Sequence, residues 1–220
     1  TNMNPQELVD RIHNQNSYKH RILYYGPSSS KDLLATINQY HQVPAALKDI
    51  PAGNEYSYLE TPVTKVLVAP YDAKQIYMAQ ISNLDKKYDP AIEPIRALYD
   101  EYFGGGMNSI VFQEMRETRG LAYSAWASIM PPSYLKYPYV LRTQIATQND
   151  KMIDAVTTFN DIINNMPESE AAFKLAKDGL TNRLRTERII KGDIIWSYIN
   201  AQDLGQNVDP RIKLYNDIQN

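Results

Sequence analysis

The sequence predicts an α+β fold: an antiparallel sheet with helices on one face. Three observations carry this. Segments of strand composition come in pairs, Thr64–Ala69 with Gln75–Asn83 and Leu121–Ile129 with Tyr137–Thr147. Apolar residues at helical spacing fill the gaps between the pairs and the whole last third of the chain. Strands and helices do not alternate regularly enough for a doubly wound parallel sheet.

In chain order, Asn4 is placed as an N-cap, with Pro5 at the first helical position, Glu7 closing a capping box and Met3 and Leu8 forming a staple across it. This helix runs to about Asn16 and is expected to bury Leu8 and Ile12. Arg21–Tyr25 is a short strand ended by Gly26-Pro27. Ser29 or Ser30 caps a second helix that turns Leu33, Leu34, Ile37 and Tyr40 inward. Residues 42–61 hold Pro44, Pro51 and Gly53 and read as a connector. Pro70-Tyr71-Asp72 is a turn that pairs Thr64–Ala69 with Gln75–Asn83 as a hairpin. Asp89-Pro90 opens a helix with Ile92, Ile95, Leu98 and Tyr102 on one side, and Gly104 stops it.

Asn108 or Ser109 caps a short helix with Ile110, Val111 and Met115 on its apolar side. Gly120 breaks it before the strand Leu121–Ile129, and Tyr137–Thr147 is antiparallel to that strand. Thr147 or Asn149 starts a helix with Met152, Val156, Phe159, Ile163 and Met166 as its stripe, ended by Pro167. A long helix follows over 168–190, on Phe173, Ala176, Leu180 and Leu184. Gly192-Asp193 restarts a helix through Ile195 and Ile199, and Asp209-Pro210 caps the last one.

The chain has 220 residues, 43% apolar and 22% charged, with net charge −2 and no cysteine. One large domain over 1–220 fits this size. The balance of charge does not suggest a nucleic-acid surface. No apolar run exceeds four residues, as in Val66–Ala69, far short of the roughly 20 residues of a membrane span. The first residues have no basic or apolar region of the signal-peptide kind. A chain that opens on a capping signal reads as a fragment of something longer. Without cysteine, disulfides and thiolate ligands are excluded, while the compartment stays open between periplasm and cytoplasm. Seventeen tyrosines against four phenylalanines suggest rings at exposed or interfacial positions.

The densest pattern is Phe103–Ala127, which holds four of the nine glycines: Gly104, Gly105, Gly106 and Gly120. The triplet is either a helix stop with a tight turn or a phosphate cradle at a helix N-terminus. No preceding strand and no lysine supports the cradle. Arg116, beside Glu114 and Glu117, has the surroundings of a solvated ion-pair partner. Tyr123 has those of half-buried strand packing. The three histidines, His13, His20 and His41, form no His-x-x-Glu-His in either orientation.

The run Gly104–Ser124, with its Gly-rich turn and Arg-Glu-Thr-Arg-Gly-Leu-Ala-Tyr-Ser, resembles the family of pitrilysin, insulin-degrading enzyme and mitochondrial processing peptidase. Within that family it is similar to the C-terminal domains that do not bind zinc. The resemblance implies a ferredoxin-like sheet and a substrate-binding role in a zinc metallopeptidase that degrades or processes peptides. It implies no cofactor in this chain, zinc in a partner catalytic domain of the same protein, and no activity from this chain alone. In the family, an Arg and a Tyr seven positions apart reach into the zinc site of another domain. Arg116 and Tyr123 have that spacing. The resemblance implies that Arg116 and Tyr123 bind substrate and that Tyr123 also acts catalytically. Peptide hydrolysis builds negative charge on the former carbonyl oxygen, to which a neutral phenol donates a hydrogen bond. A guanidinium holds a carbonyl or carboxylate through several donors. Arg119, beside Gly120, is the rival, placed to face the negative end of the helix. A catalytically inactive homologue, serving as a structural or assembly subunit, is the alternative with the same fold.

Overall fold

The computed structural model describes residues 4–54, 56, 60, 62–206 and 209–220. Met3 of the expected staple and parts of the connector, residues 55, 57–59 and 61, lie outside them. Two compact units divide the chain: Thr1–Tyr56 with Ile190–Ile195, and Ser57–Ile189 with Trp196–Asn220.

The first unit holds α1 (Pro5–Asn14) and α2 (Ser30–Tyr40). Asn4 caps α1 by accepting from the amide of Gln6 at 3.0 Å. Ser29 caps α2, accepting from the amide of Asp32. Lys48 exchanges backbone hydrogen bonds with the 17–19 segment: Lys48 N donates to Ser17 O and Lys19 N to Lys48 O, both at 2.8 Å. No described residue of this unit is fully buried. Leu8 and Ile12 of α1 and Leu34 and Tyr40 of α2 are exposed rather than inward, while Leu33 and Ile37 are half-buried. An amphipathic period makes an apolar side, but a facing surface is needed to cover it. Arg21–Tyr25, expected as a strand, is not part of the sheet.

The second unit is α+β. Its sheet has three antiparallel strands in the order β1 (Gln75–Lys87), β3 (Pro138–Gln148), β2 (Ser124–Met130). Met78, Ile145 and Ala125 stand opposite one another, as do Gln80, Thr143 and Ala127. These rows share one face, because side chains alternate along a strand. Thr64–Ala69 is not a strand and forms no hairpin: β1 pairs with β3 along one edge, and its other edge has no strand partner among the described residues. The run keeps its β-branched composition, but Val68 is 86% exposed, and strand composition favours a ladder only where its side chains also find a surface to pack on. β1 runs past the expected Asn83 after an irregularity in register. There Asp85 takes φ 53° and its amide donates to the Asn83 side chain at 2.8 Å.

Helices cover the inner face. α3 (Glu93–Tyr99) widens into a π-helical turn, Asp100–Gly104, and α4 (Ile110–Phe112) into another, Gln113–Thr118. α5 (Met152–Asn164) and α6 (Glu170–Thr186) follow, then α7 (Lys191–Asp203), whose residues 191–195 belong to the first unit and which has no buried residue, and α8 (Pro210–Gln219). Phe103, Val111, Met115, Ala155 and Phe159 pack with Ala125, Ala127 and Ile145 into the main core. Each large apolar side chain buried there is worth about 1.5–3 kcal/mol. On α5 the buried residues are Ala155, Phe159 and Ile162, so the face is rotated from the expected stripe and Met166 is left exposed. Ile95 of α3 and Phe173 of α6 are likewise exposed. A smaller cluster joins α3, α6 and α8 through Ala97, Leu180 and Ile218.

The glycine triplet is a helix stop and a close approach, with no positive φ in it. Gly104 is buried against the backbone of β2, and Gly105 packs on the carbonyl of Asp100. Gly106 stands in open space apart from the distant end of Glu101. Ser109, not Asn108, caps α4, accepting from the amide of Phe112 at 3.3 Å. The Asp100 carboxylate ties the turn to β2. It accepts from the amide of Ile129 at 2.8 Å, the hydroxyl of Ser128 at 3.0 Å and the guanidinium of Arg96 at 2.7 Å. Burial nonetheless holds its carboxyl above the ordinary carboxylate value, because desolvation outweighs these partners.

Candidate functional site

The residues that the motif singles out lie where the Gln113–Thr118 turn gives way to β2. Met115, fully buried, anchors the link: its carbonyl accepts from the amides of Leu121 at 2.8 Å and Ala122 at 3.1 Å. Gly120 makes the reversal at φ 57°, a left-handed conformation that side chains with a Cβ adopt at a cost. Its amide donates to the carbonyl of Arg116 at 3.2 Å. The Thr147 hydroxyl donates to the carbonyl of Leu121 at 2.5 Å, and the amide of Tyr123 donates to the carbonyl of Ala146 at 2.9 Å. Backbone and core thus fix the link, while two side chains project from it.

These are Arg116 and Tyr123. The Arg116 guanidinium lies 5.6 Å from the centre of the Tyr123 ring and 5.0 Å from that of Phe112. Both are cation–π distances. Tyr123 is 70% exposed, so the expected half-buried packing is not what the structure has. Its ring stands on the surface beside the guanidinium. Glu117 is 3.6 Å from Arg116, and an exposed pair of this kind contributes little. Arg119 instead faces Glu114 at 3.3 Å.

Arg116 and Tyr123 border an open depression of about 260 Å³, lined also by Gln75, Thr147, Gln148 and Lys151. Gln75 and Gln148 stand opposite each other at the paired ends of β1 and β3. Lys151 donates to the carbonyl of Gly120 at 3.0 Å. The lining therefore holds two cations and no carboxylate. Such a surface receives carbonyl or carboxylate oxygens. Phe112 was not expected as a partner of Arg116, although the i,i+4 spacing is a signal for it. Nothing in the sequence marks Gln75 or Gln148, which only the sheet register brings there, or Lys151, which follows in the turn after β3.

Among the described residues no group of three or more His, Cys, Asp or Glu side chains gathers. No helix among them is long and apolar enough to cross a membrane.

A family model described as the peptidase M16 inactive domain matches residues 22–180. No curated protein matches the sequence. Among solved structures, the peptidase M16 inactive domain from Pseudomonas fluorescens is 16% identical with a TM-score of 0.53, over 68% of this chain and 35% of that one. A conserved protein from Enterococcus faecalis is 18% identical with a TM-score of 0.59, over 87% and 44%. A protease from Helicobacter pylori is 15% identical with a TM-score of 0.56, over 87% and 47%. At these identities the likeness is one of fold. The chain spans less than half the length of each of these three structures.

Proposed function

The chain belongs to the family of peptidase M16 inactive domains, and on that premise we propose that it is the substrate-binding wall of a zinc metallopeptidase that degrades or processes peptides. A zinc-bearing domain of the same protein completes it. The observation that carries this is the exposed pair Arg116 and Tyr123, held by a link anchored on buried Met115 and Ala122 over a depression lined by two cations.

The catalytic zinc does not fit this chain, which has no His-x-x-Glu-His in either orientation. The metal is therefore assigned to the other domain. Here the residues bind and orient. Arg116 and Lys151 offer charged donors to a substrate carbonyl or carboxylate. The Tyr123 phenol donates to the oxygen on which negative charge develops. Exposure of both residues is what a group that reaches a second domain requires.

The test joins this chain to the zinc-bearing domain of its parent. Cleavage of a fluorogenic peptide is expected only when both are present, and not from either alone. Cleavage of equal rate without this chain would leave it as an assembly subunit.

A further inference from the structure

We propose that His20 and His41, in the first unit, are two ligands of a divalent transition-metal site of the zinc class. Their Nε2 atoms face each other at 2.6 Å, although 21 positions separate them in sequence. His20 is placed by the backbone pairing of the 17–19 segment with Lys48, which immediately precedes it. His41 is placed as the C-cap of α2, its amide donating to the carbonyl of Ile37 at 2.8 Å. The rings meet edge to face with centres 4.8 Å apart.

The second nitrogen of His20 decides its tautomer. Nδ1 lies 2.7 Å from the carbonyl oxygen of Tyr18. A carbonyl can only accept, so Nδ1 carries the hydrogen and the neutral ring presents a bare lone pair at Nε2. A backbone carbonyl on the far nitrogen is the usual device for orienting a ligating imidazole. Without metal, His41 donates its Nε2 hydrogen to that lone pair. With metal, His41 takes the other neutral tautomer and both lone pairs point at the ion. Zinc–nitrogen bonds of about 2.0–2.1 Å in a tetrahedron set the two Nε2 atoms roughly 3.3 Å apart. A modest opening of the present contact suffices, and His20 is exposed enough to allow it. No third protein ligand gathers among the described residues, so the other positions go to water. Imidazole pairs of this kind suit zinc, nickel and copper.

The first unit also has a use for such a link. No described residue in it is fully buried, and small units without a core are commonly held by a metal. An ion on His20 and His41 closes the loop that contains α2. This site is separate from peptide hydrolysis and stands or falls without the function proposed above.

The experiment is calorimetric titration of the 220-residue chain, freed of metal by a chelator, with Zn²⁺ and then Ni²⁺, alongside hydrogen exchange. One ion per chain is expected, with slower amide exchange across residues 17–48 when zinc is present. His20→Ala and His41→Ala should each weaken binding at least about tenfold, since even an outer-shell partner is worth 10–100-fold. His13→Ala should bind as the native chain does. His20→Gln keeps a hydrogen-bonding side chain beside His41, so apo exchange should stay native while zinc affinity falls. No zinc or nickel binding by the native chain would overturn the proposal. So would binding that survives both alanine changes.

Discussion

A Cβ added to Gly104 would lie 2.1 Å from the carbonyl oxygen of Ala127 and 2.5 Å from its amide nitrogen. Gly104 and Ala127 therefore touch backbone to backbone, where no rotamer change can make room. Gly104→Ala must push the end of the α3 turn away from β2. It should destabilise the second unit at the upper end of the about 1–3 kcal/mol typical of overpacking, or beyond it. Gly106→Ala, whose added carbon meets only the distant Glu101 side chain, should melt like the native chain. Denaturant or thermal melts of both variants check this. Equal midpoints would show that the approach is not constrained.

Asp100 gives a second test, because its environment pulls two ways. Asp100→Ala leaves the Ile129 amide and the Ser128 hydroxyl without their acceptor, while Arg96 keeps Glu93, 2.9 Å away, as its carboxylate partner. It should cost about 1–3 kcal/mol, the penalty for leaving part-buried donors without their acceptor. The pH dependence has the opposite sign from that of an ordinary ion-paired carboxylate. Its folded pKa is raised from 3.8, so the folded state binds the proton more tightly than the unfolded one. The contribution is fully present below the unfolded value and is lost as pH rises through the folded one. Against Asp100→Asn as reference, the native chain should lose relative stability from about pH 3.8 upward. A relative stability that climbs over that window would mean the partners outweigh burial.

What the sequence made legible follows its local chemistry. The caps at Asn4, Ser29, Ser109 and Asp209 occur as asparagine, serine and aspartate signals predict, because a cap needs only neighbours within one turn. The antiparallel pair β2 and β3 was legible from two adjacent runs of strand composition. Partnership over longer distance was not. Thr64–Ala69 has a strand composition as β1 does, yet β3 takes β1 as its neighbour, a choice that register and core make together. The stripes of α1 and α2 have the right period, but periodicity does not reveal whether a facing surface exists. At the candidate site the link from Met115 to Tyr123 was legible as helix, glycine and strand. The cationic lining added by Lys151 was not, because it lies across the sheet end from Arg116.

Gly120 tests whether the link positions the site. Its φ of 57° meets open space, so Gly120→Ala introduces backbone strain and no clash. About 1–2 kcal/mol of destabilisation is expected. Gly120→Asn should recover part of it, since Asn tolerates the left-handed region better. Melts of the two variants give the order native, Asn, Ala. Alanine melting at or above the native midpoint would remove the left-handed requirement.

The decisive test of Arg116 and Tyr123 is kinetic and uses the intact parent enzyme. If the phenol donates to the oxyanion, Tyr123→Phe removes one hydrogen bond made mainly in the transition state. Loss of a comparable donor costs ~10²–10³ in kcat, with KM nearly unchanged. Tyr123 is largely exposed, so the change should leave melting as it was. Arg116→Lys keeps the charge and loses the planar fork. If the guanidinium holds substrate equally in ground and transition states, KM rises while kcat holds. Arg119→Lys is the internal control: Arg119 pairs with Glu114 and does not line the depression. It should change neither constant. Undiminished kcat/KM in the Tyr123→Phe, Arg116→Lys double variant would make the pair structural. The role of this domain in the protease would then reduce to assembly.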